Sequence, residues 1–279
     1  MSPQTAKAVA PAPAAAQEPL LLREDISGTV VLTLNRPDVR NTLSEAMLAA
    51  LSDAWSSIAR DNRVRAVVLT AKGPVFSAGH DLKELNRRRS DPDGGRAYFK
   101  KVMTACSAMM QQIVKLPQPV IAAVQATATA AGCQLVASCD LAVAARTAKF
   151  ATSGIDVGLF CSTPMVALSR NVARKHAMEM LVTGEMISAD HAERIGLVNR
   201  VVDPGKEREE ALRLAGIIGG KSSIAIKLGK TAFYRQLELP LAQAYDLTSD
   251  VMVENMLTRD AEEGINAFIG KRKPKWEGR

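Results

Sequence analysis

Histidine is scarce in this chain of 279 residues, with three in all, and aromatic residues make up only 4%. Four cysteines occur, Cys106, Cys133, Cys139 and Cys161, and no two stand in a C-x-x-C pair. With so few histidines to help them, a zinc site or a disulfide framework is not expected, and a reducing compartment is the natural setting. No run of about 18 apolar residues occurs, so a membrane-spanning helix is not expected either. The thin aromatic content also argues against nucleic-acid recognition by stacking. What the chain does have is 47% hydrophobic and 23% charged residues, the composition of a globular protein with a sizeable core. Its formal charge of +7 favours polyanions (nucleic acid, anionic lipid or a phosphate-bearing cofactor), and charge alone does not choose among them.

The first nineteen residues, MSPQTAKAVAPAPAAAQEP, are Ala and Pro without an apolar period and read as a flexible arm over 1–19. They lack the apolar core of a signal peptide and the Arg/Ser richness of a transit peptide. From Leu20 onward strand-like and helix-like segments alternate. Val30–Leu34, Ala66–Thr70, Val120–Val124, Leu141–Ala145 and Leu197–Val202 read as strands. Thr42-Leu-Ser-Glu45 has capping-box spacing, followed by Met47, Leu51, Trp55 and Ile58 on one helical face. Ser188 reads as an N-cap and Gly196 as the residue closing that helix. After Glu207 the pattern is helical. Apolar strands alternating with helices predict an α/β fold with parallel strands, a core over 20–206 and a helical lobe over 207–279.

Three motifs are decoys. Ala215 to Ser222 matches a relaxed phosphate loop, but the residues before it are helical rather than a strand. Arg87-Arg88-Arg89 reads as solvated surface charge. His176 and His191 lie in helical segments without ligand spacing, and no metal is called for.

Two other segments carry chemistry. In Val75–Glu84 (VFSAGHDLKE) a tight Ala-Gly turn follows a strand and precedes a helix, exposing backbone N–H groups. In Thr127–Leu135 (TATAAGCQL) small residues again join strand to helix, so a ligand can approach the backbone at the positive helix end. Two separated N–H donors suit a thioester oxygen that gains charge during reaction.

These segments, with NRPDVRNTLS, AAGCQLVASCD, FATSGIDVGL and EGINAFIGKRKP, resemble the crotonase, or enoyl-CoA hydratase/isomerase, superfamily from about Leu20 to Trp276. The resemblance implies a spiral of ββα units with a C-terminal helical lobe that assembles trimers or hexamers. It implies an acyl-CoA thioester as ligand or substrate, with no separate cofactor. Carried over by position, the oxyanion-hole N–H donors fall on Ala78 and Ala131. The CoA contacts fall on Val39, Arg40, Ser77, Ala78, Gly79, His80, Asp81 and Leu82, with Phe268 and Lys271 reaching from a neighbouring subunit. The two water-activating glutamates of the hydratases fall on Gln134 and Gly154. Glutamine holds a water without taking its proton, and glycine does neither, so hydration is expected weak or absent. Asp156 is the nearest acidic substitute, with a loop or capping role as the other reading. Cys161 and Ser162 fall where some branches place a catalytic aspartate.

Three functions remain open at this level: a hydratase or isomerase of fatty-acyl-CoA metabolism, another oxyanion-hole reaction (isomerisation, decarboxylation or thioester hydrolysis), or an acyl-CoA-binding regulatory protein. The expected compartment is the cytoplasm of a bacterium or the mitochondrial matrix of a eukaryote.

Overall fold

The computed structural model describes residues 18–279. The expected arm over 1–19 lies outside the described residues except for Glu18 and Pro19. Those two are held by Asn35, whose Nδ2 donates to the Glu18 carboxylate and the Pro19 carbonyl.

Ten strands form two sheets. The larger contains β1 (Leu21–Ile26), β2 (Thr29–Leu34), β3 (Ala66–Ala71), β5 (Val120–Val124), β7 (Leu141–Ala145) and β10 (Arg200–Val202), in that spatial order. All neighbours are parallel except β1 and β2, an antiparallel pair. The smaller contains β4 (Val75–Ser77), β6 (Thr127–Thr129), β8 (Lys149–Ala151) and β9 (Ile187–Ser188), with β4, β6 and β8 mutually parallel. The chain lays one strand in the large sheet, turns, lays the next in the small sheet, and then enters a helical segment. It does so at β3–β4, β5–β6 and β7–β8. This is the repeating ββα unit expected from the resemblance.

The buried strands are apolar throughout because both faces of the large sheet are covered. Alternate residues Val31, Val68, Ile121 and Val143 pack against Ala211 and Ala215 of the helix Glu207–Gly219. Their neighbours Val30, Val67, Leu69 and Ala122 face the main core, with Trp55, Met109 and Phe150. The helix Glu207–Gly219 thus forms a layer of the core rather than part of the lobe in which it was placed. Helices Ser223–Gln236, Leu241–Met256 and Arg259–Ile269 form the lobe.

Several local signals read as expected. Ser188 Oγ accepts the His191 amide, and Gly196 follows that helix at φ +84°. The capping box is displaced: the first long helix runs Glu45–Ala59 and its N-cap is Ser44, not Thr42. Leu43 is held extended by a parallel bridge to His80, so the helix cannot begin earlier. The relaxed phosphate loop dissolves into a helix ending at Gly219 and a new one capped by Ser222. Leu197 and Val198 are buried but only Arg200–Val202 form strand. Among the described residues no helix is long and apolar enough to cross a membrane, and all four cysteines are free and buried.

Candidate functional site

The strands β4, β6 and β8 end side by side, and a motif-bearing turn leaves each of them: Ala78-Gly79-His80, Ala130-Ala131 and Thr152-Ser153-Gly154. The carboxyl edge of parallel strands is where open α/β sheets place ligands. Sequence positions 80, 131 and 154 become neighbours here because the ββα repeat returns the chain to adjacent strands.

The first two turns touch. A Cβ built on Gly79 would stand 3.0 Å from the Ala131 amide nitrogen and 3.0 Å from Ala130 Cβ. With φ at +84°, Gly79 both makes the turn and lets the second turn approach. Gly132 lies so close to Ser77 that a side chain would fall onto the Ser77 carbonyl. The helix Ala131–Ser138, buried along its whole length, therefore starts directly against the β4 turn. Its first amides have no partner within the helix, and the positive end of the helix dipole lies at that turn.

Ala131, the second expected donor, has an ordinary negative φ; the residue at positive φ is Ala130, at +50°. The first donor needs correction. The Ala78 amide donates to the Arg40 carbonyl at 3.1 Å, and the Gly79 amide faces Ser77 Oγ at 3.3 Å. The His80 amide, one residue on, donates to no described residue. Ala78 is spent on the backbone, and His80 is the amide of this turn left for a ligand.

The other expected contacts divide by role. Arg40 is left-handed, φ +57°, after the short 3-10 turn Pro37–Val39. Ser77 is buried and its hydroxyl donates to the Asn41 carbonyl at 2.8 Å. Asp81 accepts the Lys83 and Glu84 amides at 2.9 and 3.0 Å and caps the helix Leu82–Arg87, whose first residue Leu82 is half exposed. Phe268 and Lys271 stand exposed on the lobe. Asn41 escaped the reading of the sequence. Fully buried at φ +50°, it donates to the Lys72 and Val75 carbonyls and ties the 36–41 loop to β4. An Asn after a Pro-containing break was the available signal, since Asn tolerates the left-handed region.

Gln134 is buried, and its Oε1 has no partner. Gly154 has no room for a side chain: its Cβ would stand 2.5 Å from the Leu159 carbonyl and 2.8 Å from Cys161 Sγ. The Cys161 thiol fills that space, accepts the Gly154 amide, and is pushed up in pKa by burial, so it is neutral. The Asp156 carboxylate lies elsewhere, with Oδ1 at 3.0 Å from the Cβ position of Gly184 at the end of the helix Arg174–Thr183. Ser162 is exposed and bonds the Phe160 carbonyl.

The His80 ring is held by Nδ1 at 3.3 Å from the Leu43 carbonyl, while Nε2 is buried without a partner. Burial pushes its pKa below the usual histidine value, and the Glu84 charge opposes this only in part. Among the described residues no three His, Cys, Asp or Glu side chains gather as a metal site. Asp140 is structural, bonded to the Val120 amide, Lys230 and Tyr234.

The chain is similar to known proteins in sequence and in fold. The human protein named enoyl-CoA hydratase domain-containing protein 3, mitochondrial, is 49% identical over 251 residues, 90% of this chain and 81% of the relative. A crystal structure described as enoyl-CoA hydratase from Mycobacterium smegmatis superposes with a TM-score of 0.89 at 55% identity, covering 93% of this chain and 99% of the other. The crystal structure of the human domain-containing protein 3 gives 0.88 at 48% identity, covering 92% and 100%. The family model for enoyl-CoA hydratase/isomerase matches residues 24–279. The chain belongs to the enoyl-CoA hydratase/isomerase family.

Proposed function

We propose that this protein binds an acyl-CoA thioester at the carboxyl edge of β4, β6 and β8, with the thioester oxygen between the His80 and Ala131 amides, and that water addition is not its main reaction. One observation carries the reading: two unspent amides meet across Gly79, while the nearby positions of the family glutamates hold Gln134 and Gly154. A fixed amide aimed at a developing oxyanion contributes about 10²–10³ in rate. A positioned base contributes about 10²–10⁴ more, and hydration needs one for the water. The first contribution is supported here and the second is missing from both usual positions. An isomerisation, a decarboxylation or a thioester hydrolysis draws on the first alone or with a base placed elsewhere. A thioester-binding regulatory protein would use the same amides without turnover.

Gly154 also bears on how this is tested. A carboxylate cannot be restored there, because its Cβ would collide with the Leu159 carbonyl as well as with Cys161. Gln134→Glu is the substitution with room. Calorimetry should show butyryl-CoA binding that weakens in high salt, as screening of the CoA phosphates requires. Crotonyl-CoA hydration should be slow in the wild type and stay slow in Gly154→Glu. Absence of binding at millimolar butyryl-CoA, or fast wild-type hydration surviving Gln134→Ala, would overturn the reading.

We also propose self-association through the lobe as a trimer or hexamer. The support is the exposed apolar side chains of its helices, among them Leu241, Leu257 and Phe268.

A further inference from the structure

Around the edge where β4, β6 and β8 end, each candidate proton carrier but one is either bonded or placed elsewhere. The Asp81 carboxylate caps a helix. The Asp156 carboxylate lies against Gly184. The Cys161 thiol takes the Gly154 amide, and Gln134 has no titratable group. One Glu84 oxygen, Oε2, accepts the Glu45 amide at 3.1 Å. The exception is His80. The Leu43 carbonyl can only accept, so the nitrogen facing it, Nδ1, carries the ring proton and Nε2 is left as a lone pair. That lone pair is buried and meets no donor. A buried acceptor without a partner costs about 1–3 kcal/mol, which a ligand could return.

We infer that His80 serves the site twice, its amide holding the thioester oxygen and its Nε2 taking and returning a proton at the acyl carbon next to the thioester. The inference rests on the thioester reading above and names the base that reading lacks. With the oxygen on the His80 amide, the α-carbon is two bonds from that oxygen, and the unpartnered nitrogen belongs to the same residue. In the step, the Nε2 lone pair forms a bond to the α-proton. The C–H electron pair moves into the bond to the carbonyl carbon, and the carbonyl π pair moves onto the oxygen between the His80 and Ala131 amides. Return of the proton reverses every move, so no co-reactant is needed. Burial keeps the ring neutral and its lone pair available, and the Leu43 carbonyl fixes which nitrogen is bare.

The test is exchange of the α-protons of butyryl-CoA in deuterated water, followed by proton NMR, alongside calorimetric binding of the same ligand. The wild type should exchange them. His80→Asn keeps the backbone amide and a side-chain donor for Leu43 but has nothing at Nε2. At butyryl-CoA concentrations that saturate it by calorimetry, it should lose about 10²–10⁴ of the exchange rate. His80→Gln, which fills the space of the ring without a basic nitrogen, should lose the same and serves if the Asn variant folds poorly. Exchange at the wild-type rate in either folded variant would overturn the inference while leaving the thioester reading intact. So would a wild type that binds butyryl-CoA without exchanging its protons. A wild type that does not bind it would overturn the thioester reading, and this inference with it.

Discussion

Ala130 sits at φ +50° and ψ −120°, a conformation natural to glycine and strained for any residue with a Cβ. Such strain costs about 1–3 kcal/mol and persists only where the surroundings over-determine it. Here they do: the Ala130 amide bonds the Ala151 carbonyl at 2.9 Å, and its own carbonyl accepts the Gln134 amide at 3.0 Å. The twisted peptide is what turns the next amide, Ala131, out of the strand direction and toward the Gly79 turn. Ala130→Gly removes the strain and gives back about 0.4–1 kcal/mol through the freer unfolded chain. The expected net effect is stabilisation of about 1 kcal/mol, with a melting midpoint a few degrees higher, read by urea and thermal unfolding. A less stable variant would mean that the Ala130 methyl, packed beside Gly79, contributes more than its backbone costs.

Between elements, the decisive polar contact is the one that joins the lobe to the core. Lys230, on the helix Ser223–Gln236, extends its Nζ to the Ile113 carbonyl (3.0 Å), the Gln118 carbonyl (3.1 Å) and Asp140 (2.6 Å). Asp140 also accepts the Val120 amide and the Tyr234 hydroxyl. Burial draws the Lys230 pKa below the usual lysine range and pushes Tyr234 up. Surface pairs such as Arg36–Asp38 contribute little, whereas removing one partner of a buried pair costs about 3–5 kcal/mol. Lys230→Met should therefore destabilise by about 3 kcal/mol or more in urea melts, while Arg36→Met changes little. An unaltered midpoint for Lys230→Met would show that Asp140 is satisfied by its other two donors. Such a strut joins residues ninety positions apart, and nothing local in the sequence announces it. What could be read locally was the run of buried strands, Val120–Val124 and Leu141–Ala145 to the residue, because two covered faces demand unbroken apolar stretches. The edge strand Leu21–Ile26, with LLREDI exposed on its charged side, carries no such signal. Nor do the two- and three-residue strands β4, β6, β8 and β9. Yet those short strands set the site. Its turns were legible as small residues between strand and helix, but which amide is free was not. That depends on Arg40, thirty-eight residues before Ala78, claiming the Ala78 N–H.

For the molecule as a whole, its most exposed large apolar side chains lie in the lobe. Leu241 and Leu257 are each 76% exposed, Phe268 86% and Ile269 74%, on or beside the lobe helices. Single exposed apolar residues need no explanation, but several on three neighbouring helices favour an interface as the reading. A second copy of this chain is the partner that the family resemblance implies, and Phe268 and Lys271 would then lie at its thioester site. Sedimentation at micromolar concentration should give a trimer or hexamer. Placing charge at these exposed positions, Leu257→Asp with Phe268→Asp, should shift the distribution toward monomer, because burying an unpaired carboxylate costs far more than an exposed one gains. If the copies complete each other's sites, that variant should also bind butyryl-CoA more weakly, although neither residue lies near His80 or Ala131 in its own chain. Weakened binding in a variant that remains fully assembled would point instead to damage within the protomer. A wild-type monomer would remove the lobe from the site altogether and leave the ligand to the residues around β4, β6 and β8 alone.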